Sequence, residues 1–272
     1  MNIQNIIDEI EKVDANIYDR ISPRRKAMKS FFNIGSKIAL SAVPLALGSM
    51  FNKAYGQTSG TIVDVLQFAL TLEYLESEFY DMGLKKSGLI PSGAPMGAIT
   101  TICQHEKAHV KFLQDTITSL GSTPVTKPAF DFTAKGTFPT VFSNYDTFLA
   151  VAQAFEDTGV RAYKGQAGNV KGNAGVLTAA LNIHSVEARH ASHIRQMRKA
   201  RGADVKPWIT LNNSGIGAVV NNVYAGEEST MQAMLEITNI NGMAISANAA
   251  SEAFDEPLSK DQVLQIVTPF LA

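Results

Sequence analysis

From residue 61 onward, four stretches of helical hydrophobic periodicity alternate with breaks rich in Gly and Pro. In the first, Ile62, Val65, Leu66, Ala69, Leu70 and Glu73 share one face. The run continues through Leu75 and Tyr80 and is expected to stop at Gly83. A loop with Pro91 and Pro95 follows, then a second helix predicted over Ala98–Leu120 and closed by Gly121. The pattern then lapses through Pro124, Pro128, Phe130, Phe132 and Pro139. A break this long is uncommon inside a compact domain. It reads as a crossover along the outside of a helical bundle, with its phenylalanines outside the core. A third helix is expected from about Asn144 to Gly165, and a fourth, after a Gly-rich loop, from about Val176 to Arg201.

The flanks differ in character. Ile6, Ile7, Ile10, Val13 and Ile17 suggest a short amphipathic helix over Ile3–Ile21. Next come Arg24, Arg25 and Lys29, then a weakly apolar run broken by Lys37 and Pro44, then small residues near Ala54 and Gly56. This order resembles a twin-arginine export signal. Ala27 stands where an aromatic is usual, and some twenty residues precede the arginines. The uncharged run Ile38–Phe51 falls short of the roughly 20 residues a bilayer span needs. The expectation is export to the periplasm, with membrane-surface contact before cleavage near Gln57 or Thr58. A basic-turned helix that stays with the domain is the alternative.

Beyond Arg201 the chain turns loop-like around Pro207-Trp208 and Asn212-Asn213-Ser214-Gly215. Helices are expected over Gly226–Ile237, led by Glu227 and Glu228, over Ser246–Phe254, and from an N-cap at Ser259 to near Pro269. Three segments result: residues 1–57, a bundle over 58–201, and a helical extension over 202–272. The extension is expected to cover an apolar side of the bundle or to form a homodimer contact.

Composition narrows the reading modestly. A formal net charge of −1 over 272 residues gives no electrostatic case for nucleic acid. Cys103 is the only cysteine, which excludes an intrachain disulfide and a cysteine-based zinc cluster.

The chemistry lies in a repeat. Glu106-x-x-His109 puts a carboxylate and an imidazole one turn apart on one helix face, and the pair returns as Glu187-x-x-His190, 81 positions later. Glu73 stands seven residues before Tyr80, and Glu156 seven before Tyr163, at an offset of 83. Each half therefore reads Glu-x6-Tyr on one helix and Glu-x-x-His on the next. One such pair on an amphipathic helix is ordinarily a solvated surface feature. Two, at a nearly constant offset, mark an internal duplication. Glu76 competes with Glu73, but the repeat register aligns Glu76 with Gly159 and favours Glu73. Four carboxylates and two imidazoles are the hard donor set of a dinuclear iron or manganese centre in a ferritin-like bundle. Buried together, they require a metal or protons to offset their charge. Tyr80 and Tyr163, two turns from their own glutamates, suit hydrogen bonds that orient those ligands. His184 and His193 read as packing or outer-sphere groups, His105 as a surface or interface residue, and Glu227 or Glu228 as remote candidates for the centre.

Leu70-Thr71-Leu72-Glu73-Tyr74-Leu75-Glu76-Ser77-Glu78-Phe79-Tyr80, with His105-Glu106-Lys107-Ala108-His109, resembles the bacterial ferritin-like domain family that includes the plant desiccation-related proteins. The resemblance spans about Thr61–Arg201. It implies an all-α four-helix bundle with a long crossover between helices 2 and 3. It also implies two Fe or Mn ions, with Glu106 and Glu187 as bridges and Glu73, His109, Glu156 and His190 as terminal ligands. It names no substrate and no further catalytic residue. The function expected is reaction with oxygen or peroxide in stress protection, as an oxidase, peroxidase or catalase-like enzyme; a non-enzymatic protective or interaction protein is the alternative.

Overall fold

The computed structural model describes residues 59–240 and 242–272. The export-signal reading and the expected cleavage position fall on residues outside these. Four long helices dominate: α1 Ser59–Lys85, α2 Ala94–Ser119, α3 Tyr145–Ala167 and α4 Ala174–Ala200. Asn144 caps α3 by accepting from Thr147 N, and Asn173 caps α4 by accepting from Val176 N, each satisfying a free donor of the first turn. Gly121, at φ 78°, stands just past α2 in the left-handed conformation that glycine adopts without penalty.

Two boundaries differ from expectation. Pro95 does not hold α2 back to Ala98, because proline is tolerated in a first turn whose N–H groups lack helical partners anyway. Gly83 lies inside α1, which runs on to Lys85. A side chain there would collide with the Phe148 ring, so this glycine is a packing notch and not a stop.

The helices pack chiefly as two pairs, α1 with α2 and α3 with α4. Their direction follows from what each end buries. One apolar cluster takes the N-terminal halves of α2 (Ile99, Ile102) and α3 (Phe148, Phe155) with the C-terminal halves of α1 (Leu75, Phe79) and α4 (Ile194). A second takes the opposite halves, including Leu113 and Ile117 of α2, Tyr163 of α3, Ile62, Leu66 and Leu70 of α1, and Val176 and Ile183 of α4. Hence α2 and α3 run parallel, which a short loop cannot connect, and the crossover is the topological consequence. Between the two clusters, at mid-height, all four helices turn acidic residues inward.

The crossover does not keep its phenylalanines outside. Phe132 is buried, with its ring 5.4 Å from Phe79, which in turn stacks on Phe148 at 4.7 Å. Asp131 sets the turn: Oδ1 accepts from Thr133 N and Oδ2 from Lys135 N, both at 3.0 Å. The chain terminus covers it, with Asp131 N donating to Phe270 O at 2.8 Å and Ala272 N to Ala129 O at 3.0 Å. Burial of the crossover thus depends on residues some 140 positions away.

The extension holds α5 (Asn221–Tyr224), α6 (Ala247–Ser251) and α7 (Lys260–Val267). Ser259 and Gln262 form a capping box at α7, as the N-cap assignment anticipates. The helix expected over Gly226–Ile237 is absent. In its place β1 (Met231–Gln232) pairs antiparallel with β2 (Leu235–Glu236), and β3 (Asn239–Ile240) pairs with β4 (Met243–Ala244). Ala233 and Met234 both adopt positive φ, as a two-residue hairpin turn demands. The acids that suggested a helix start are used otherwise: Glu227 lies 2.7 Å from Arg161 Nε, and Glu228 accepts from Gly226 N.

Arg161 also donates from Nη2 to Ala225 O and from Nε to Glu256 O, and bonds Val223 O through Nη1. A second buried arginine, Arg195, grips both oxygens of Asp157, on which the Tyr224 hydroxyl also closes at 2.7 Å. Arg161 fastens the extension to α3, and Arg195, from α4, steadies the Asp157 that Tyr224 of the extension also bonds. Among the described residues no helix is long and apolar enough to cross a membrane.

Candidate metal centre

Between the two apolar clusters, six side chains converge. Glu73 comes from α1, Glu106 and His109 from α2, Glu156 from α3, and Glu187 and His190 from α4; all are buried. They form two overlapping groups of possible metal ligands: Glu73, Glu106, His109 and Glu187 in one, and Glu106, Glu156, Glu187 and His190 in the other. Within each group the ligand atoms lie within 4.8 Å of one another. Glu106 and Glu187 belong to both.

The imidazoles are aimed alike. His109 Nδ1 lies 3.1 Å from Glu73 Oε2, 3.0 Å from Glu106 Oε2 and 3.1 Å from Glu187 Oε1. One N–H cannot serve three carboxylates. His190 Nδ1 lies 2.7 Å from Glu106 Oε1 and 3.3 Å from Glu156 Oε2, yet neither contact has hydrogen-bond geometry. Both oxygens of Glu187 are likewise buried without a hydrogen bond. Buried polar atoms are nearly always bonded. Several such atoms facing one another across a small space fit a bound cation, and the carboxylate-rich set with two imidazoles suits hard or borderline divalent ions. Among the described residues no Lys or Arg ion-pairs with any of the six.

The two tyrosines work across the halves. Tyr80 on α1 donates to Glu156 Oε1 on α3 at 2.5 Å, and Tyr163 on α3 donates to Glu73 Oε1 on α1. Sequence spacing paired each tyrosine with the glutamate of its own helix; the structure pairs it with the other. In both cases one carboxylate oxygen takes the tyrosine and the second faces the centre.

Electrostatics bear the same signature. Burial pushes Glu187 well above the usual carboxylate range, with repulsion from Glu106 and Glu73 adding to it. Glu106 is driven up by burial and held to about 7 by the facing imidazoles of His109 and His190. Burial opposes the charged form of His190, but Glu156 and Glu106 outweigh it and raise the imidazole to about 11. His109 is raised in the same way, the effect of Glu73 foremost against burial. Burial, followed by Glu156 for Tyr80 and Glu73 for Tyr163, lifts both phenols, so they stay protonated donors. The cluster therefore holds protons where a cation would otherwise sit.

Two residues were underrated in the sequence. Glu76 is a fifth buried glutamate of the cluster, pushed upward by burial and by Glu187, although it joins neither four-ligand group. Its aligned position, Gly159, makes the room: a Cβ there would stand 3.3 Å from Glu76 Oε1 and 3.2 Å from Glu187 Oε2. His105 Nδ1 meets His190 Nε2 at 2.9 Å with the rings stacked. A His190 that donates Nε2–H to His105 presents a bare Nδ1 to Glu106, the orienting role outer-sphere partners play at metal sites. His105-Glu106-x-x-His109 also has the spacing of the zinc motif in which both histidines hold one ion. Here the two rings face different partners, so that reading does not apply. His184 is a packing residue, its Nδ1 3.0 Å from Val160 O, and Glu227 and Glu228 lie apart from the centre.

Comparison with known families agrees with the architecture. The family of the ferritin-like domain matches residues 61–200, the span of the four helices, and the chain belongs to that family. Comparison with curated proteins gave no match.

Proposed function

We propose that this protein is an exported ferritin-like metalloprotein that holds two iron or manganese ions and reacts with oxygen or peroxide in protection against stress. The observation that carries the reading is the pair of overlapping ligand groups sharing Glu106 and Glu187. In it, Glu73 and His109 would hold one ion and Glu156 and His190 the other, with Glu106 and Glu187 shared by both. Two redox-active ions held there would give electrons to oxygen or peroxide and be restored by an added reductant or, in disproportionation, by a second peroxide.

The chain's own groups do the rest. Tyr80 and Tyr163 fix one oxygen each of Glu156 and Glu73, leaving the other oriented inward. The apolar clusters above and below keep bulk water away, which strengthens every charge interaction between them. His105 and His190 can pass a proton between Nδ1 of the first and Nε2 of the second, a hydrogen-bonded link from the cluster toward the exposed surface.

The test is turnover of peroxide and of oxygen by protein reconstituted with iron and, separately, with manganese. Activity with one of them, lost in Glu187→Ala, supports the reading; folded, fully loaded protein inert toward both overturns it. Export rests on Arg24 and Arg25, and replacing both by lysine is expected to leave the chain in the cytoplasm.

A further inference from the structure

The two halves of the repeat pattern differ on one face. On one side, Phe112 and Thr116 of α2 and Val176, Ala179 and Ile183 of α4 enclose an apolar cavity of about 30 Å³. Their repeat partners, 81 positions away, are His193, Met197, Pro95, Ala98 and Ile102. These line a cleft of about 830 Å³ between the opposite halves of the same two helices. Positions equivalent in the repeat therefore line a small apolar cavity at one end and a large cleft at the other.

The open end is basic. Arg189, Arg201, His105, His190 and His193 line it, and no Asp or Glu does. Arg189 stands where the first half has Ala108, and His193 where it has Phe112, so both polar groups belong to this side alone. Arg201 is held by Asp146, with its guanidinium 4.9 Å from the Tyr145 ring centre. Arg189 is exposed and has no carboxylate partner among the described residues. The remaining wall is mostly apolar, including Ile102 and Met197. A large concave site with an apolar wall and a few converging polar groups is the usual form of a small-molecule site. Its floor includes His190, whose Nδ1 faces Glu106 and whose Nε2 meets His105.

We propose that this cleft binds a small organic carboxylate, with its apolar body against Ile102 and Met197 and its charge on Arg189 and His193. Binding does not depend on metal. Only the consequence, an oxidisable molecule held one imidazole away from the ions, rests on the function proposed above.

The experiment titrates benzoate into the metal-free full chain near pH 7. It follows the imidazole signals of His105, His190 and His193 by NMR, with calorimetry for stoichiometry. One benzoate per chain is expected, with uncharged benzamide and inorganic phosphate each at least about tenfold weaker. Arg189→Gln, exposed and so tolerated by the fold, should weaken benzoate about tenfold or more while metal content stays unchanged. Lys199→Gln, on α4 but outside the cleft, should change nothing. Absence of saturable binding, phosphate bound as tightly as benzoate, or an Arg189→Gln variant that binds like the parent would each overturn the proposal. Failure of the metal reading would show as absent metal with these results intact.

Discussion

The Tyr80 hydroxyl on α1 and the Glu156 carboxylate on α3 are joined at 2.5 Å in the bundle interior, and Tyr163 and Glu73 repeat the bond in the opposite sense. Each half of the repeat thus orients a candidate ligand of the other. In Tyr80→Phe, Glu156 loses a charge-assisted bond and no partner replaces it. Outer-sphere changes of this kind typically cost roughly 10–100-fold in metal affinity. A competition titration against a calibrated chelator should show that loss, with the far-UV spectrum unchanged.

Gly159 gives a sharper test of how tightly the centre is built. Alanine at this helical position would ordinarily stabilise, by about 1 kcal/mol. Here the added methyl meets Glu187 Oε2 and Glu76 Oε1 at 3.2 and 3.3 Å. Crowding of this sort costs about 1–3 kcal/mol, and here it displaces a shared glutamate. Gly159→Ala is therefore expected to lower metal affinity more than thermal stability, read by metal titration beside a melting curve.

Acidity follows from the same charges. The metal-free folded centre keeps Glu106 protonated to about pH 7, against an ordinary 4.5, and His190 to about 11, against 6.5. For the glutamate, the folded state binds the extra proton between those values, so stability falls as pH rises from 4.5 through 7. For the histidine, the contribution is complete below 6.5 and is lost as pH climbs toward 11. Both signs agree: apoprotein weakens with alkalinity. Metal must displace these protons, so its apparent affinity should rise with pH, and loading in weak buffer should acidify the solution. An affinity flat from pH 5.5 to 8 would contradict this.

At the extension, Arg161→Met should leave Glu227 buried beside unbonded carbonyls. Breaking a buried pair from one side costs about 3–5 kcal/mol, whereas replacing both partners is often near neutral. The double variant Arg161→Met with Glu227→Met should recover much of the loss in denaturant melts.

The sequence made the bundle legible because its information is local and repeated. Glu-x-x-His spacing survives folding, since three residues always make one helical turn. Constant offset then located Glu73 and Glu156. The tyrosine bonds were misassigned because spacing along one helix says nothing about which neighbour it faces. Gly83 misled for a related reason: the Phe148 ring that needs the notch comes from another helix. The false helix over Gly226–Ile237 arose from Glu227, whose true partner Arg161 lies on α3. His105 is exposed, as expected, but nothing nearby in sequence reveals His190 beside it. Local signals picked out the residues that converge at mid-bundle, and tertiary contacts decided their partners.

The most direct measurement is the number of ions bound per chain by the intact protein and by Glu106→Ala. If Glu106 is shared between two ligand groups, the parent binds two iron or manganese ions per chain, as its fold class does at such sites. Removing this one glutamate should then weaken both together. Elemental analysis paired with a metal titration reads both quantities. Two ions in the parent and fewer than one in Glu106→Ala agree with a shared glutamate. A parent that folds fully yet binds no metal, or a variant that loses one ion and keeps the other at parental affinity, would contradict it.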